Sequence, residues 1–259
     1  MYRATPKDGI AWITGASTGI GRAVVLELVR RGWKVAATAR NVQRLGTLTV
    51  EAEALGGTVI ARPGDITDEA AMAALIATIE REDGPIALAM LNAGGFFPDA
   101  PGEFVGANFR KTMTLNADGT LNSLEPLLPA MTGRGRGQIA VVSYVAGYGG
   151  LPTAASYCMA KSGLIAMCES LKPALERVGL SIQIICPGYV RTPLSDQVKG
   201  PRPFLVEVDD AACRICDGFE RGGFEIAFPR RMVWLVKALH RLPYPIYFWL
   251  GSRASGRYA

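Results

Sequence analysis

Histidine is almost missing from this chain of 259 residues: His240 is the only one. One imidazole cannot build a His-rich metal centre, and it leaves a Ser-His-Asp hydrolase a single candidate base, late in the chain. Cysteine is equally sparse as a structural resource. The five copies are odd in number and scattered, so no disulfide framework is implied and a reducing compartment is expected. Cys213 and Cys216 have C-x-x-C spacing without a second pair nearby, which reads as a plain helical pair; no metal is expected. Long apolar runs are also missing. The longest charge-free stretch, residues 137–160, contains Gly147, Gly149, Gly150 and Pro152, so it cannot be one spanning helix. Met1 to Asp8 is polar and offers no signal-peptide core; a soluble, cytoplasmic protein is expected. Linkers, repeats and low-complexity segments are absent, so residues 1–259 read as one domain.

Acidic residues stop at Glu225. Arg230, Arg231, Lys237, Arg241, Arg253 and Arg257 follow it, so the tail carries +6 and the rest of the chain sums to −1 within a net charge of +5. No basic stripe elsewhere points to nucleic acid.

What the chain does contain is a regular alternation. Short apolar runs at residues 10–14, 33–38, 58–61, 86–91, 138–142, 180–185 and 224–228 read as strands. Helical spacing fills the intervals, with Asn41 and Asp68 as N-caps. A long helical region from about Glu103 to Met131 is expected to break near Pro126 and Pro129, and a helix from Ala154 to Val178 to kink at Pro173. Continuous apolar strands alternating with helices predict an α/β fold of Rossmann type: a doubly wound parallel sheet of about seven strands, helices on both faces. Ligands of such sheets sit beyond the carboxyl ends of the strands.

The informative residues fall at those ends. Thr14-Gly15-Ala16-Ser17-Thr18-Gly19-Ile20-Gly21 joins the first strand to the first helix. Gly15 permits a tight turn, Gly19 lets backbone approach a pyrophosphate, and Gly21 lets helix pack on strand. The helix N-terminus supplies N–H donors and partial positive charge. The second strand ends in Ala39-Arg40-Asn41, without the carboxylate that would accept from the ribose hydroxyls of NAD. Arg40 is suited instead to a 2′-phosphate, which favours NADP(H).

Tyr157 and Lys161 are four residues apart and share a helix face. A free tyrosine, with a pKa of about 10, is a poor base at neutral pH; a nearby ammonium is expected to lower it. Ser143 follows the fifth strand and can hydrogen-bond a substrate oxygen. No G-x-S-x-G elbow surrounds it, which removes the hydrolase reading.

In this order of motifs the chain resembles the classical short-chain dehydrogenase/reductase family, in its NADP-preferring branch. The resemblance rests on the glycine loop, Asp65, Asn92-Ala93-Gly94, Asn116, Ser143, Tyr157 with Lys161, and Pro187-Gly188 followed by Thr192. It covers about residues 9 to 193. It implies that Tyr157 exchanges a proton with the substrate oxygen and that Lys161 tunes Tyr157 and holds the nicotinamide ribose. It further implies that Ser143 orients substrate and that Asn116 supports a water chain from Lys161. Cofactor contacts are implied for Gly15, Ser17, Thr18, Gly19, Ile20, Gly21 and Arg40, for Asp65 and Ile66 at adenine, and for Asn92, Ala93 and Gly94 beside the adenosine ribose. Pro187, Gly188, Val190 and Thr192 are implied at the nicotinamide end. Leu91 departs from the family, which often has asparagine there. The family forms dimers or tetramers through its long fourth and fifth helices, so a homo-oligomer is expected.

Substrate-side residues match least. Phe96, Phe97 and Tyr148, with a loop over the site from Leu194 to Val208, favour a lipophilic secondary alcohol or its ketone or aldehyde. In the extension from about 229 to 259, Met232, Val233, Leu235, Val236 and Leu239 form a helical stripe, followed by the aromatic run Tyr244 to Leu250. Packing on the protein and weak peripheral contact with an anionic membrane are both open. The function classes left are therefore an NADP(H) oxidoreductase, a non-catalytic NADP-binding sensor and a membrane-associated interaction protein.

Overall fold

A computed structural model describes residues 2–98, 100, 103–151, 153–197 and 201–255, the last four of these by their backbone. Seven parallel strands form one sheet: β1 (Ile10–Thr14), β2 (Val35–Thr38), β3 (Val59–Ala61), β4 (Ile86–Leu91), β5 (Gly137–Val142), β6 (Leu180–Pro187) and β7 (Glu225–Phe228). Their order is β3-β2-β1-β4-β5-β6-β7. The order reverses between β1 and β4, which opens the crevice where an α/β sheet takes its ligand.

Two helix layers cover the sheet. On one side lie α1 (Gly19–Arg30), α2 (Val42–Ala54) and α7 (Val208–Arg221). On the other lie α3 (Glu69–Thr78), α4 (Gly106–Met113), α5 (Gly119–Arg134) and α6 (Ala155–Arg177). Successive residues of β1 serve opposite layers: Ala11 and Ile13 join the core with Val24, Leu28, Leu45 and Ile215, while Ile10 and Trp12 join Met72, Ile76 and Leu127. Trp12 is fully buried, and its indole N–H donates to Thr38 Oγ1 at 2.9 Å, so the bulk costs no unpaired donor.

The long helical region does not break at its prolines. Both Pro126 and Pro129 sit inside α5, and α6 runs on past Pro173. The carbonyls these prolines orphan belong to Asn122, Glu125 and Glu169, which are half-buried or exposed, where water can take the bond. The interruption comes earlier, as a π-helical turn at Thr114–Asp118 between α4 and α5, with buried Asn116 at its centre.

The C-terminal extension forms α8 (Arg230–His240) and α9 (Tyr244–Ser255). The stripe seen in the sequence splits. Met232 and Val233 are buried against Val145, with Tyr144, Tyr148, Tyr189 and Val236 around them, whereas Leu235 is exposed to water. Burying two such side chains contributes about 1.5–3 kcal/mol each, enough to hold α8 on the sheet edge. His240 stands over Gly149 and meets Tyr247 edge-on at 6.2 Å, and Tyr247 donates to the Gly150 carbonyl.

Candidate functional site

The glycine loop is tight for a stated reason at each end. Gly15 has φ +65°, and a Cβ there would lie 2.8 Å from Ala93 Cα. A Cβ on Gly21 would sit 2.4 Å from the Gly15 carbonyl oxygen. Thr14 and Asn92 fasten this turn to the end of β4. Thr14 Oγ1 accepts from the backbone N–H groups of Asn92 and Ala93, and the Asn92 amide donates to the carbonyls of Thr14 and Gly15 at 3.0 and 3.3 Å. Asn92 is thus spent on scaffolding the loop. The sequence alone does not reveal Thr14 in this role, since nothing in a strand-final threonine marks its hydroxyl as a latch.

Helix α1 begins at Gly19 with Thr18 at the N-cap, no side-chain cap and no acid in its first turn. Ser17, Thr18, Gly19 and Ile20 stay half-buried around it. The first-turn N–H groups and the helix dipole are therefore left for an anion, and a pyrophosphate fits this cradle. Thr192 closes its far side, 3.1 Å from where a Gly19 Cβ would lie. The chain reaches Thr192 from Pro187 at the end of β6. Gly188 donates to the Phe228 carbonyl, and Val190 is buried and bridged to Val206. Of the expected loop from Leu194 to Val208, residues 198–200 lie outside the described residues; Asp196 and Arg202 pair at 2.7 Å.

At the end of β2, Arg40 is 71% exposed and its nearest acid is Asp65 at 3.6 Å. Burial opposes ionisation of Asp65, but hydrogen bonds from Thr67 and the Arg40 charge hold its carboxyl below the usual range. Ile66 puts its side chain into the core against Gly119, and its carbonyl accepts from Asn122 at 3.0 Å. Its side chain therefore faces the core and not the surface.

Ser143, Tyr157 and Lys161 meet at the carboxyl end of β5. Ser143 Oγ donates to the Lys161 carbonyl at 2.8 Å, and Lys161 Nζ donates to the Val142 carbonyl at 2.9 Å. Nζ lies 5.6 Å from the Tyr157 ring centroid. Gly147 allows the close approach: a Cβ there would be 2.8 Å from Ser143 Oγ and 2.9 Å from the Lys161 carbonyl oxygen. Lys161 is buried and Tyr157 half-buried. Burial pushes the Tyr157 hydroxyl above its ordinary value and draws Lys161 from 10.5 down to about 8. The expected lowering of Tyr157 by Lys161 is not seen: burial raises the hydroxyl, and the neighbouring Cys158 thiol adds to the rise.

Asn116 reaches the same place from the π turn. Its amide N–H groups donate to the Gly95 and Thr112 carbonyls at 2.8 and 2.9 Å, and its oxygen accepts from Gly95 N–H at 3.3 Å. Both amide protons are used, so Asn116 holds the Gly94–Gly95 turn, and one lone pair of Oδ1 is left for a water relay. Gly94 matters because a Cβ would meet Asn116 Oδ1 at 2.6 Å and Lys161 Nζ at 3.5 Å.

The aromatic wall differs from the one expected on sequence. Phe96 does pack on Tyr157, edge-on at 5.3 Å. Tyr148 does not line this space. Its hydroxyl donates to Glu225 at 2.6 Å, and Lys237 sits over its ring at 4.6 Å while pairing with Glu225 at 2.7 Å. The place beside Tyr157 belongs to Tyr144, 5.8 Å away, with Tyr189 behind it at 6.1 Å. Its position directly after Ser143 is the one sequence signal that points to Tyr144. Phe97 carries Lys111 over its ring at 4.2 Å.

Known proteins resemble the chain in sequence and in fold. The family model of the short chain dehydrogenases matches residues 9–202. An uncharacterized oxidoreductase from Myxococcus xanthus is 34% identical over 237 residues, covering 92% of this chain and 94% of that protein. A short-chain dehydrogenase from Sphingobium yanoikuyae, solved with NADPH, is 25% identical with a TM-score of 0.79 over 89% of this chain and 92% of its own. One from Burkholderia phymatum, solved with NAD, has a TM-score of 0.83 at 20% identity, over 93% of this chain and 95% of its own, and so shows the fold alone. Sheet order, glycine loop and family match converge: the chain belongs to the short-chain dehydrogenase family of oxidoreductases.

Proposed function

We propose that this chain is an NADP(H)-dependent oxidoreductase that interconverts a lipophilic secondary alcohol and its ketone, or an aldehyde, with Tyr157 as general acid/base. The observation that carries it is the convergence of Ser143, Tyr157 and Lys161 at the end of β5, on the same sheet edge as the open α1 N-terminus. A sensor that only bound nucleotide would have no need of all three. Residues 1–259 act as one domain in this reading.

Gly15, Ser17, Thr18, Gly19, Ile20 and Gly21 would hold the pyrophosphate, Arg40 the 2′-phosphate, and the backbone of Asp65 to Ile66 and of Asn92 to Gly94 the adenosine. Pro187, Gly188, Val190 and Thr192 would flank the nicotinamide, and Lys161 its ribose. When bound, the nicotinamide supplies or accepts the hydride. The chain's own part is the proton. Burial keeps Tyr157 as the neutral phenol, ready to donate to a carbonyl oxygen as negative charge grows there. Lys161, at about 8, is largely protonated at neutral pH and stabilises that charge through a water-poor medium. Ser143 has one proton, directed at the Lys161 carbonyl, so it accepts from an alcohol as it stands and must turn to donate to a ketone. Phe96, Tyr144 and Tyr157 offer aromatic surface to the substrate, which favours an apolar carbonyl compound over a phosphorylated one.

Related folds are seen with NADPH and with NAD, so the strand end and not the fold decides the cofactor. Arg40 is exposed and only loosely paired, which favours the extra phosphate. A homo-oligomer is supported by an apolar groove of about 300 Å³ along α4, α5 and α6, edged by exposed Leu121 and Met159. The test is a panel of lipophilic ketones followed by NADPH absorbance. Turnover with NADPH at least about tenfold above NADH in kcat/KM is expected; no turnover on any member, or an NADH preference, overturns the reading.

A further inference from the structure

The two C-terminal helices expose apolar surface in a pattern that the proposed chemistry does not use. The inner face of α8 is occupied by Met232 and Val233. Its outer face carries Arg231, Trp234, Leu235, Ala238 and Arg241, all exposed and spaced so that they share one side of the helix. A surface helix ordinarily turns polar residues to water there. On α8 the centre of that face is apolar, with Trp234 69% and Leu235 52% exposed, and the charges stand only at the ends. Helix α9 also exposes large apolar side chains. Tyr247 turns inward to Gly150, whereas Tyr244, Ile246, Phe248 and Trp249 are exposed. Tyr244 and Phe248 stack at 5.8 Å on that outer side.

The charge carried by these two helices is of one sign. No acid follows Glu225, and Glu225 is itself covered by Lys237 and Tyr148. Arg230, Arg231 and Arg241 are exposed and form no ion pair among the described residues.

We propose that the outer faces of α8 and α9 dock on an anionic lipid bilayer. Tryptophan and tyrosine settle at headgroup level, and arginine meets lipid phosphate there. A second copy of the chain is a poorer match, because the rest of the chain sets 22 Lys and Arg against its 23 acids and so presents almost no net acidic charge to six tail cations. The helices of 11 and 12 residues are too short for the about 20 that a spanning segment needs. No helix among the described residues is long and apolar enough to cross a membrane. Docking is therefore in the plane of the interface. It also places the bilayer against a helix whose inner face touches Val145, two residues beyond Ser143.

Sedimentation of the full chain with vesicles tests this. With vesicles of phosphatidylcholine and phosphatidylglycerol at low salt the protein should pellet. In phosphatidylcholine alone binding should weaken about tenfold or more, and raised salt should weaken it likewise. The triple variant W234S/L235S/I246S, altered only at exposed positions, should keep its Tm and lose about tenfold or more in binding to the anionic vesicles. A full chain that stays in the supernatant with anionic vesicles at low salt overturns the proposal. So does equal binding by the triple variant, or equal binding to both vesicle types. A dimer in vesicle-free solution that the triple variant dissociates also overturns it, by assigning the surface to a second copy.

Discussion

The nucleotide edge and the C-terminal helices obey different constraints. Around β1, β2 and β4 the backbone segments approach so closely that residue type is forced: Gly15, Gly21 and Gly94 each stand where a Cβ would overlap a neighbour. On α8 and α9 nothing is forced. Met232 and Val233 face the protein, and Trp234 and Leu235, equally apolar, face water. Apolar periodicity marks a helix in both regions, but only steric exclusion tells which atoms meet.

Breaking the tight region should therefore cost far more than altering the loose one. Gly21→Val forces a side chain onto the Gly15 carbonyl, and NADPH affinity measured by calorimetric titration should fall about 100-fold or more. An affinity within about threefold of wild type would mean the loop accommodates the clash. Leu235→Ser, its counterpart on α8, should shift stability by no more than about 0.5 kcal/mol.

Arg40→Asp sharpens the comparison from the cofactor's side. Losing one charge-assisted contact and gaining a repelling carboxylate should lower the preference for NADPH over NADH about 100-fold. Titration of both cofactors against the variant measures it, and an unchanged ratio would remove Arg40 from the site.

Lys161→Met acts on stability and catalysis in opposite senses. The folded value of about 8 lies below the ordinary 10.5, so between these pH values the unfolded chain holds a proton that the folded chain does not. Stability of the wild type should rise with pH across that window, and the burial penalty is present in full below about 8. That penalty is about 3 kcal/mol, against about 1 kcal/mol for the lost bond to Val142, so the variant should gain about 2 kcal/mol at pH 7. Urea denaturation at pH 7 and near pH 10.5 should show the gain shrinking at the higher pH. A variant less stable at both would contradict the assignment. A smaller loss than from Gly21→Val or Arg40→Asp is expected from Tyr148→Phe, which removes the bond to Glu225. It should cost about 1 kcal/mol and leave cofactor affinity alone, since Tyr148 anchors the tail and does not line the site.

Strand positions, the two N-caps and the alternation were legible because burial on both faces demands continuous apolar runs, and Asn41 and Asp68 do accept from Arg44 and Ala71. The break before α5 was not legible. Proline was the visible signal, but exposed carbonyls tolerate it, whereas the π turn around Asn116 follows from a buried amide seeking Gly95, a contact across 21 residues. That Ser143, Tyr157 and Lys161 belong together was legible through their order in the chain. Which aromatic ring faces Tyr157 was not: Tyr144 and Tyr148 are four apart, and only the ion pair of Lys237 with Glu225 draws Tyr148 away. Desolvation of Tyr157 and Lys161 was equally hidden, since it depends on how many elements close over them.

Tyr157→Phe bears on the central claim most directly. It deletes one hydroxyl and leaves the ring that Phe96 and Tyr144 pack against. With a ketone that the wild type reduces, the account predicts a loss of about 10³-fold in kcat and NADPH affinity within about threefold of wild type. Retention of the wild-type rate would show that the proton comes from another group, and the assignment of Tyr157 would fall.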